Sequence, residues 1–348
     1  MRRFIVASVA ALAAAWIAPA AHAQVVFKAA MHADLKVIDP IWSGAYIARN
    51  AGYMIYDTLF AMDETFAIKP QMVDKWTTSD DGLTWSFTLR DGLEWHDGKP
   101  VSAEDCIASL KRWSARDSMG QKLASVVQEY KVVDASTFQI VLKQKFGPML
   151  EALGKPSVVV PFMMPKRIAE TDPFKQIDDF VGSGPFVLKK EDWRPGEKTV
   201  FLKNTRYKPR PEPASGLAGG KVVSLDRVEW VWIPDPATAV NALLNGEIDM
   251  MESANYDSLP LLEKDKGVRL IPSKTSNQYT FRMNWLIPPF NNAKVRQAAF
   301  AAFGQEEFLQ ANIGDKRALG GFVKVNEWND YQIIARGPVM IHIMNGQL

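Results

Sequence analysis

A thiol and an imidazole have the widest chemical reach of any side chains, and this sequence holds one cysteine, Cys106, and four histidines. Neither type stands in a catalytic spacing. There is no HExxH for zinc hydrolysis, no GxSxG elbow for a nucleophilic serine and no CxxC for redox or metal work. The run Ser215-Gly-Leu-Ala-Gly-Gly-Lys221 comes near a phosphate-cradling loop but has Ser where that loop requires its first Gly. Acid pairs such as Asp80-Asp81 and Asp178-Asp179 lie in loop-like sequence, where solvated charge is the default. His96, in Trp95-His96-Asp97-Gly98, has no second His at ligand spacing, so it reads as a turn residue making local hydrogen bonds. Cys106, Leu110 and Trp113 recur at helical spacing, so the thiol reads as a small buried apolar group. No catalytic set, metal site or cofactor site is assembled.

The elements around these residues are legible from local signals. Trp85 to Leu89 alternates large apolar with polar residues between the turn pairs Asp81-Gly82 and Asp91-Gly92, which predicts a strand. Ser102 with Asp105 three residues on predicts a capped helix to about Arg116. Lys131 to Leu142 gives two strand-like runs separated by Asp134-Ala135-Ser136, and Gly182-Ser183-Gly184-Pro185 breaks the chain ahead of a strand at 186–188. Residues 208–221 read as an irregular loop, Val228 to Ile233 as a strand, and Pro236 opens a helix that stops at Asn245-Gly246. Alternating strands and helices point to an α/β or α+β design. Trp85 and Trp95, inside the strand region, read as core rather than as ligand-facing aromatics.

The N-terminus sets the compartment. Arg2 and Arg3 precede an apolar run from Phe4 to Ile17, and Ala21-His22-Ala23 offers a small-x-small cleavage pattern ahead of Gln24. The run is shorter than the ~20 apolar residues of a membrane span, so residues 1–23 are expected to be a signal peptide for ordinary secretion. The paired arginines lack the preceding Ser/Thr of a twin-arginine signal, and Gln24 rather than Cys disfavours a lipid anchor. Loss of Arg2 and Arg3 brings the 41 basic side chains level with the 39 acidic ones. No global field is left to attract nucleic acid or anionic membrane. A lone cysteine excludes an internal disulfide framework.

A series of phrases then carries a family resemblance. Val37-Ile38-Asp39-Pro40, Tyr56-Asp57-Thr58-Leu59-Phe60, the long run from Ser79 to Cys106, VVDASTFQIVL, VGSGPFVL, IPDPATAVNALLNGEIDM and PPFNNAKVRQAAFAAF follow one another in order. This set, over residues 30–314, resembles extracellular solute-binding family 5, the peptide- and nickel-type periplasmic binding proteins of ABC transporters. The resemblance implies an α/β, two-lobed periplasmic binding protein of type II. Such a protein closes on a small solute, most often a short peptide, delivers it to a permease in the inner membrane, and is usually a monomer.

It also implies a division of the chain: a main lobe from 24–62 and 179–272, a subdomain inserted at 63–178, and the start of a second lobe at 273–316. Trp42 and Ser43 are expected to line the cleft. Gln278 to Asn284 looks like the second lobe's first strand, with Tyr279, Arg282 and Asn284 as further ligand candidates. Alternation puts Tyr279 and Arg282 on opposite faces.

The match stops near Gly314, so the second lobe is expected to be incomplete and the chain cut short. Residues 317–348 read as a β-hairpin around Gly337-Pro338 and resemble the 3-keto-disaccharide hydrolase family, a lectin-like β-sandwich. The expectation is a foreign tail joined between Gly314 and Ala318; the alternative is a diverged piece of the second lobe. Two other functions compete with solute capture: a carbohydrate-acting enzyme whose sandwich is only begun here, and a holdase using the unfinished lobe's apolar surface.

Overall fold

The computed structural model describes residues 24–271 and 282–304, together with the backbone of the strand residues 331–336 and 339–344. The chain separates into two compact units, one running to residue 234 and including 248–252, the other formed by 235–247 and the residues from 253 onward.

In the first unit the elements follow in order as β1 (Val26–Ala30), α1 (Tyr46–Ile55), β2 (Phe60–Met62), β3 (Ile68–Pro70), β4 (Val73–Thr78) and β5 (Thr84–Leu89). Next come α2 (Ala103–Arg116), α3 (Ser118–Val126), β6 (Val127–Val132), β7 (Thr137–Leu142), α4 (Met149–Leu153) and α5 (Lys166–Ala169). The unit closes with β8 (Phe186–Leu188), β9 (Lys198–Lys203) and β10 (Arg227–Val231). The second unit contributes α6 (Pro236–Leu244); the chain then returns to the first for β11 (Met250–Met251).

Two larger sheets organise the first unit. One is antiparallel, in the order β4-β5-β7-β6, and its register sets Phe87 directly opposite Phe138 with their rings stacked at 5.3 Å. The alternation read in the sequence is what turns Phe87 and Leu89 into the core. The other sheet is mixed, in the order β11-β1-β10-β9-β8, with β1 parallel to both β10 and β11. β10 is two residues shorter at its end than the expected strand, stopping at Val231.

α2 begins with the expected reciprocal cap: Ser102 Oγ accepts from the Asp105 N–H at 3.3 Å and the Asp105 carboxylate accepts from the Ser102 N–H at 2.9 Å. Asp105 also accepts from the Trp95 indole at 3.3 Å and from the Lys166 N–H at 2.6 Å, so the cap ties three segments. Cys106, Leu110 and Trp113 are fully buried, and burial pushes the Cys106 thiol well above its usual range. Trp95 is buried; Trp85 is half-buried, packed against the core.

A buried ion pair joins the Asp39-Pro40 turn to α2. Arg112 Nη2 donates to Asp39 Oδ2 at 2.8 Å, and both side chains are fully inaccessible. Asp39 Oδ1 accepts from the N–H groups of Ile41 and Trp42, each at 3.0 Å, while Oδ2 also accepts from Ile177 N–H at 3.1 Å. Arg112 reaches on to the carbonyls of Thr171, Asp172 and Lys175. A second buried carboxylate, Asp57, accepts from Lys221 Nζ at 2.8 Å and Tyr207 Oη at 3.0 Å, pinning the irregular 208–221 loop.

His96 departs from its expected local role. Its bonds run 86 and 88 residues along the chain: Nδ1 accepts from Gly182 N–H at 3.2 Å and Nε2 donates to the Gly184 carbonyl at 3.1 Å. The Gly182–Gly184 segment passes so close to α1 that a Cβ on Gly182 would stand 2.0 Å from the Ile55 carbonyl oxygen. Only glycine fits there, and the exposed backbone groups become partners for the imidazole. Burial, aided by the Arg206 charge, pulls the His96 pKa down to about 4.

In the second unit α6 is capped as expected: Asp235 Oδ1 accepts from Thr238 N–H at 2.7 Å, Pro236 stands in the first turn, and Gly246 follows the C-cap Asn245 at φ 71°. The unit continues with α7 (Leu259–Leu262), α8 (Ala293–Ala301) and an antiparallel hairpin of β12 (Tyr331–Arg336) and β13 (Val339–Met344), the pairing expected around Gly337-Pro338.

Two outcomes are expected in unfolding experiments. Asp39→Ala leaves Arg112 buried and unpaired, and should cost about 3–5 kcal/mol in urea denaturation; a loss below 1 kcal/mol would contradict the arrangement. His96 is neutral in the fold and binds a proton more readily when unfolded. Its contribution is therefore complete above about pH 6.5 and is lost as pH falls toward 4, up to about 3 kcal/mol. His96→Gln should flatten the stability profile in that window.

Candidate functional site

Parallel strands bring their carboxyl ends to one edge, and in open α/β sheets solutes bind beyond those ends. Here β1 and β11 finish side by side: Ala30 pairs with Met251, and the Glu252 N–H donates to the Ala30 carbonyl at 2.9 Å. The next side chains are His32 and Glu252. His32 donates to Glu252 Oε2 from its backbone N–H at 3.1 Å and from Nδ1 at 2.7 Å. The carboxylate partner assigns the proton to Nδ1.

α1 supplies the other half. Ile47, Ala48, Ala51 and Ile55 form its buried stripe, while Tyr46, Arg49 and Asn50, at spacings of three and four, share another face. Asn50 Nδ2 donates to Glu252 Oε1 at 2.7 Å. Arg49 donates to Asn50 Oδ1 from Nε at 3.1 Å and Nη2 at 2.8 Å, with its guanidinium carbon 4.6 Å from the centre of the Tyr46 ring. An unbroken hydrogen-bonded row therefore runs Arg49–Asn50–Glu252–His32. It remains open to solvent: the side chains of His32 and Glu252 are 33 % and 27 % accessible. Tyr53, next on the helix, is held raised by burial, with Arg49 partly opposing, and its hydroxyl donates to the Pro156 carbonyl. Such a row offers an anion and a cation at adjacent points, suited to binding a polar solute; it contains no nucleophile activated by a base.

A separate hollow of about 330 Å³ is lined by His96, Phe180, Leu188 and Lys190 among others. Its charges are engaged locally, with Lys190 Nζ on the Asp178 carbonyl at 2.7 Å and Asp179 on Arg167 at 3.1 Å. Among the described residues no group of three His, Cys, Asp or Glu side chains is placed to hold a metal ion, and no helix is long and apolar enough to cross a membrane.

The residues singled out from the sequence fall as follows. Trp42 is half-buried; its indole N–H donates to the Phe174 carbonyl at 3.1 Å, and its own carbonyl accepts from Arg116 at 2.8 Å. Ser43 Oγ accepts from Ala45 N–H at 3.2 Å. Tyr279 lies outside the described residues. Arg282 and Asn284 are exposed in backbone that is not strand, and Asn284 Oδ1 accepts from Leu286 N–H at 3.2 Å. Neither Trp42 nor Ser43 belongs to the row. His32, Arg49, Asn50 and Glu252 escaped sequence reading; the spacing of Tyr46, Arg49 and Asn50 was the available signal.

Comparison with known proteins agrees with the geometry. Residues 67–333 match the family described as bacterial extracellular solute-binding proteins, family 5. The chain is 41 % identical over 288 residues to the probable peptide ABC transporter periplasmic-binding protein y4tO of Sinorhizobium fredii, covering 81 % of this chain and 53 % of that protein. It is 28 % identical over 290 residues to the glutathione-binding protein GsiB of Escherichia coli, covering 82 % of this chain and 54 % of that one. Among solved structures, the periplasmic binding protein DppA of Helicobacter pylori in complex with peptide STSA superposes with a TM-score of 0.68 at 25 % identity, over 89 % of this chain and 59 % of that one. NikZ of Campylobacter jejuni in complex with Ni(L-His) gives 0.67 at 22 %, over 89 % and 57 %.

The chain thus spans about half the length of the curated relatives it matches. The family match includes 317–333, which the sequence reading had set apart as tail, and the carbohydrate-enzyme alternative finds no support in these comparisons. The ordered phrases, the mixed α/β sheet and the match from residue 67 to residue 333 lead to one conclusion: this chain belongs to the bacterial extracellular solute-binding proteins of family 5.

Proposed function

We propose that the protein is the periplasmic solute-binding component of an ABC transporter, capturing a short peptide between two lobes and handing it to a membrane permease without chemical change. The observation that carries this reading is the 41 % identity to a protein named as a peptide transporter's binding component. The open polar row at the ends of β1 and β11 supports it, since charged termini are what distinguish a peptide from its surroundings.

The lobe division is part of the proposal: 24–62 and 179–272 as main lobe, 63–178 as insertion, and a second lobe from 273. It draws support from the sheets, because the four-stranded one falls wholly inside 63–178 and the five-stranded one wholly outside it. Trp42, Ser43, Tyr279, Arg282 and Asn284 are retained as proposed solute contacts, and the protein is proposed to act as a monomer.

The test is to express the full chain in a Gram-negative host, recover it from the periplasm and titrate it with a panel of di- and tripeptides by calorimetry. The expected result is a mature N-terminus at Gln24, saturable binding at one site per chain, and peptide recovered intact by mass spectrometry. Cleaved peptide, or no binding across the panel, would overturn the reading.

A further inference from the structure

The row Arg49–Asn50–Glu252–His32 is not saturated, and its open positions have an order. Each carboxylate oxygen has about two lone-pair sites. Glu252 Oε2 has both occupied, by the His32 N–H and Nδ1, whereas Oε1 holds only Asn50 Nδ2 and keeps one free. Asn50 Oδ1 is filled by Arg49 Nε and Nη2. Arg49 keeps both N–H groups of Nη1 and the second of Nη2, and forms no ion pair among the described residues. Those outer N–H groups are the edge of the guanidinium that receives a carboxylate with two parallel bonds, and the Tyr46 ring at 4.6 Å fixes its plane. One end of the row thus asks for a carboxylate and the other for an ammonium.

The separation between these ends selects the solute. Arg49 Nη2 and Glu252 Oε1 are linked by hydrogen bonds of 2.8 and 2.7 Å through a single amide. They therefore lie no more than about 8 Å apart. A carboxylate and an ammonium on the same carbon, each making one hydrogen bond outward, span about that distance or less. The termini of an α-linked dipeptide are separated by at least one further residue, about 3.3–3.6 Å of extended chain, and reach both ends only with hydrogen bonds bent away from the line of the row.

We infer that this row is a subsite for an α-amino-carboxylate head group, with Arg49 receiving the carboxylate, Glu252 Oε1 the ammonium, and Asn50 and His32 positioning them. Within the peptide-binding reading on which this rests, the solute class is a short peptide whose glutamyl residue is linked through its side chain, leaving both α-groups free. Ordinary α-linked peptides meet both ends only with bent, weaker hydrogen bonds.

Two isomers of identical composition test it: γ-glutamyl-alanine and α-glutamyl-alanine, titrated into the full chain by calorimetry. The γ-isomer is expected to bind at least about tenfold more tightly. Arg49→Gln and Glu252→Gln should each bring it down to the level of the α-isomer, and Arg49→Lys, which keeps the charge but loses the fork, should lie between. Both sites are solvent-accessible, and unchanged melting temperatures verify that the variants fold. Equal or tighter binding of the α-isomer, or a ratio unmoved by the substitutions, overturns the head-group assignment while leaving peptide capture standing. Absence of binding by these and by every peptide of the wider panel overturns both.

Discussion

The first unit depends on the buried contact between Asp39 and Arg112. A carboxylate and a guanidinium removed from water stabilise a fold only when their remaining hydrogen-bonding positions are met. Here Asp39 accepts four bonds, from Ile41, Trp42, Ile177 and Arg112. Arg112 adds three backbone carbonyls from 171–175, which leaves only its Nε without a partner among the described residues. The pair thereby fixes the turn that leads into α1, the axis of α2 and the strap that returns toward the mixed sheet. α1 in turn carries Tyr46, Arg49 and Asn50, so the geometry of the open polar row is set by a contact between two wholly buried residues.

Scaffold and site differ in how completely their charges are partnered. Asp39 is saturated in the interior, and Asp57, wholly buried, meets Lys221, Tyr207 and its neighbour's N–H with nothing turned to solvent. Asp117 caps α3 through two backbone N–H groups and also meets Lys155. Arg49 and Glu252 are held just as firmly on one side yet keep donors and an acceptor turned outward. Positioning without saturation is what a binding group requires, because an anchored side chain loses less entropy on meeting its solute.

What could be read from the sequence was whatever is encoded locally. The Ser102–Asp105 cap, the Asp235-Pro236 helix start with its Asn245-Gly246 stop, and the Phe87 and Leu89 alternation each depend on a few consecutive residues, and each appears in the structure. The ordered phrases gave the family for a similar reason, being continuous runs. The site was largely illegible because its parts are brought together by pairing. Asn50 and Glu252 are 202 residues apart, and Glu252 stands in a stretch with no motif, its place decided by β11 joining β1. His96 does stand in a turn, but its partners were illegible because the glycine backbone it clasps lies 86 and 88 residues further along the chain.

The mixed sheet has a consequence for how this chain comes into being. β1 sits between β10 and β11, so the first strand made has no partner until residues 227–231 and 250–251 exist. The antiparallel sheet of β4 to β7 closes within residues 73–142 and needs none of these. Sequence separation slows pairing, so during synthesis the antiparallel sheet is expected to condense first, while Val26–Ala30 waits as an open strand without β10 or β11. Such an edge readily recruits a foreign strand. A holding factor that keeps the leading segment extended until some 250 residues have emerged would suit this order of assembly, and the polar row at the strand ends becomes the last part of the first unit to exist.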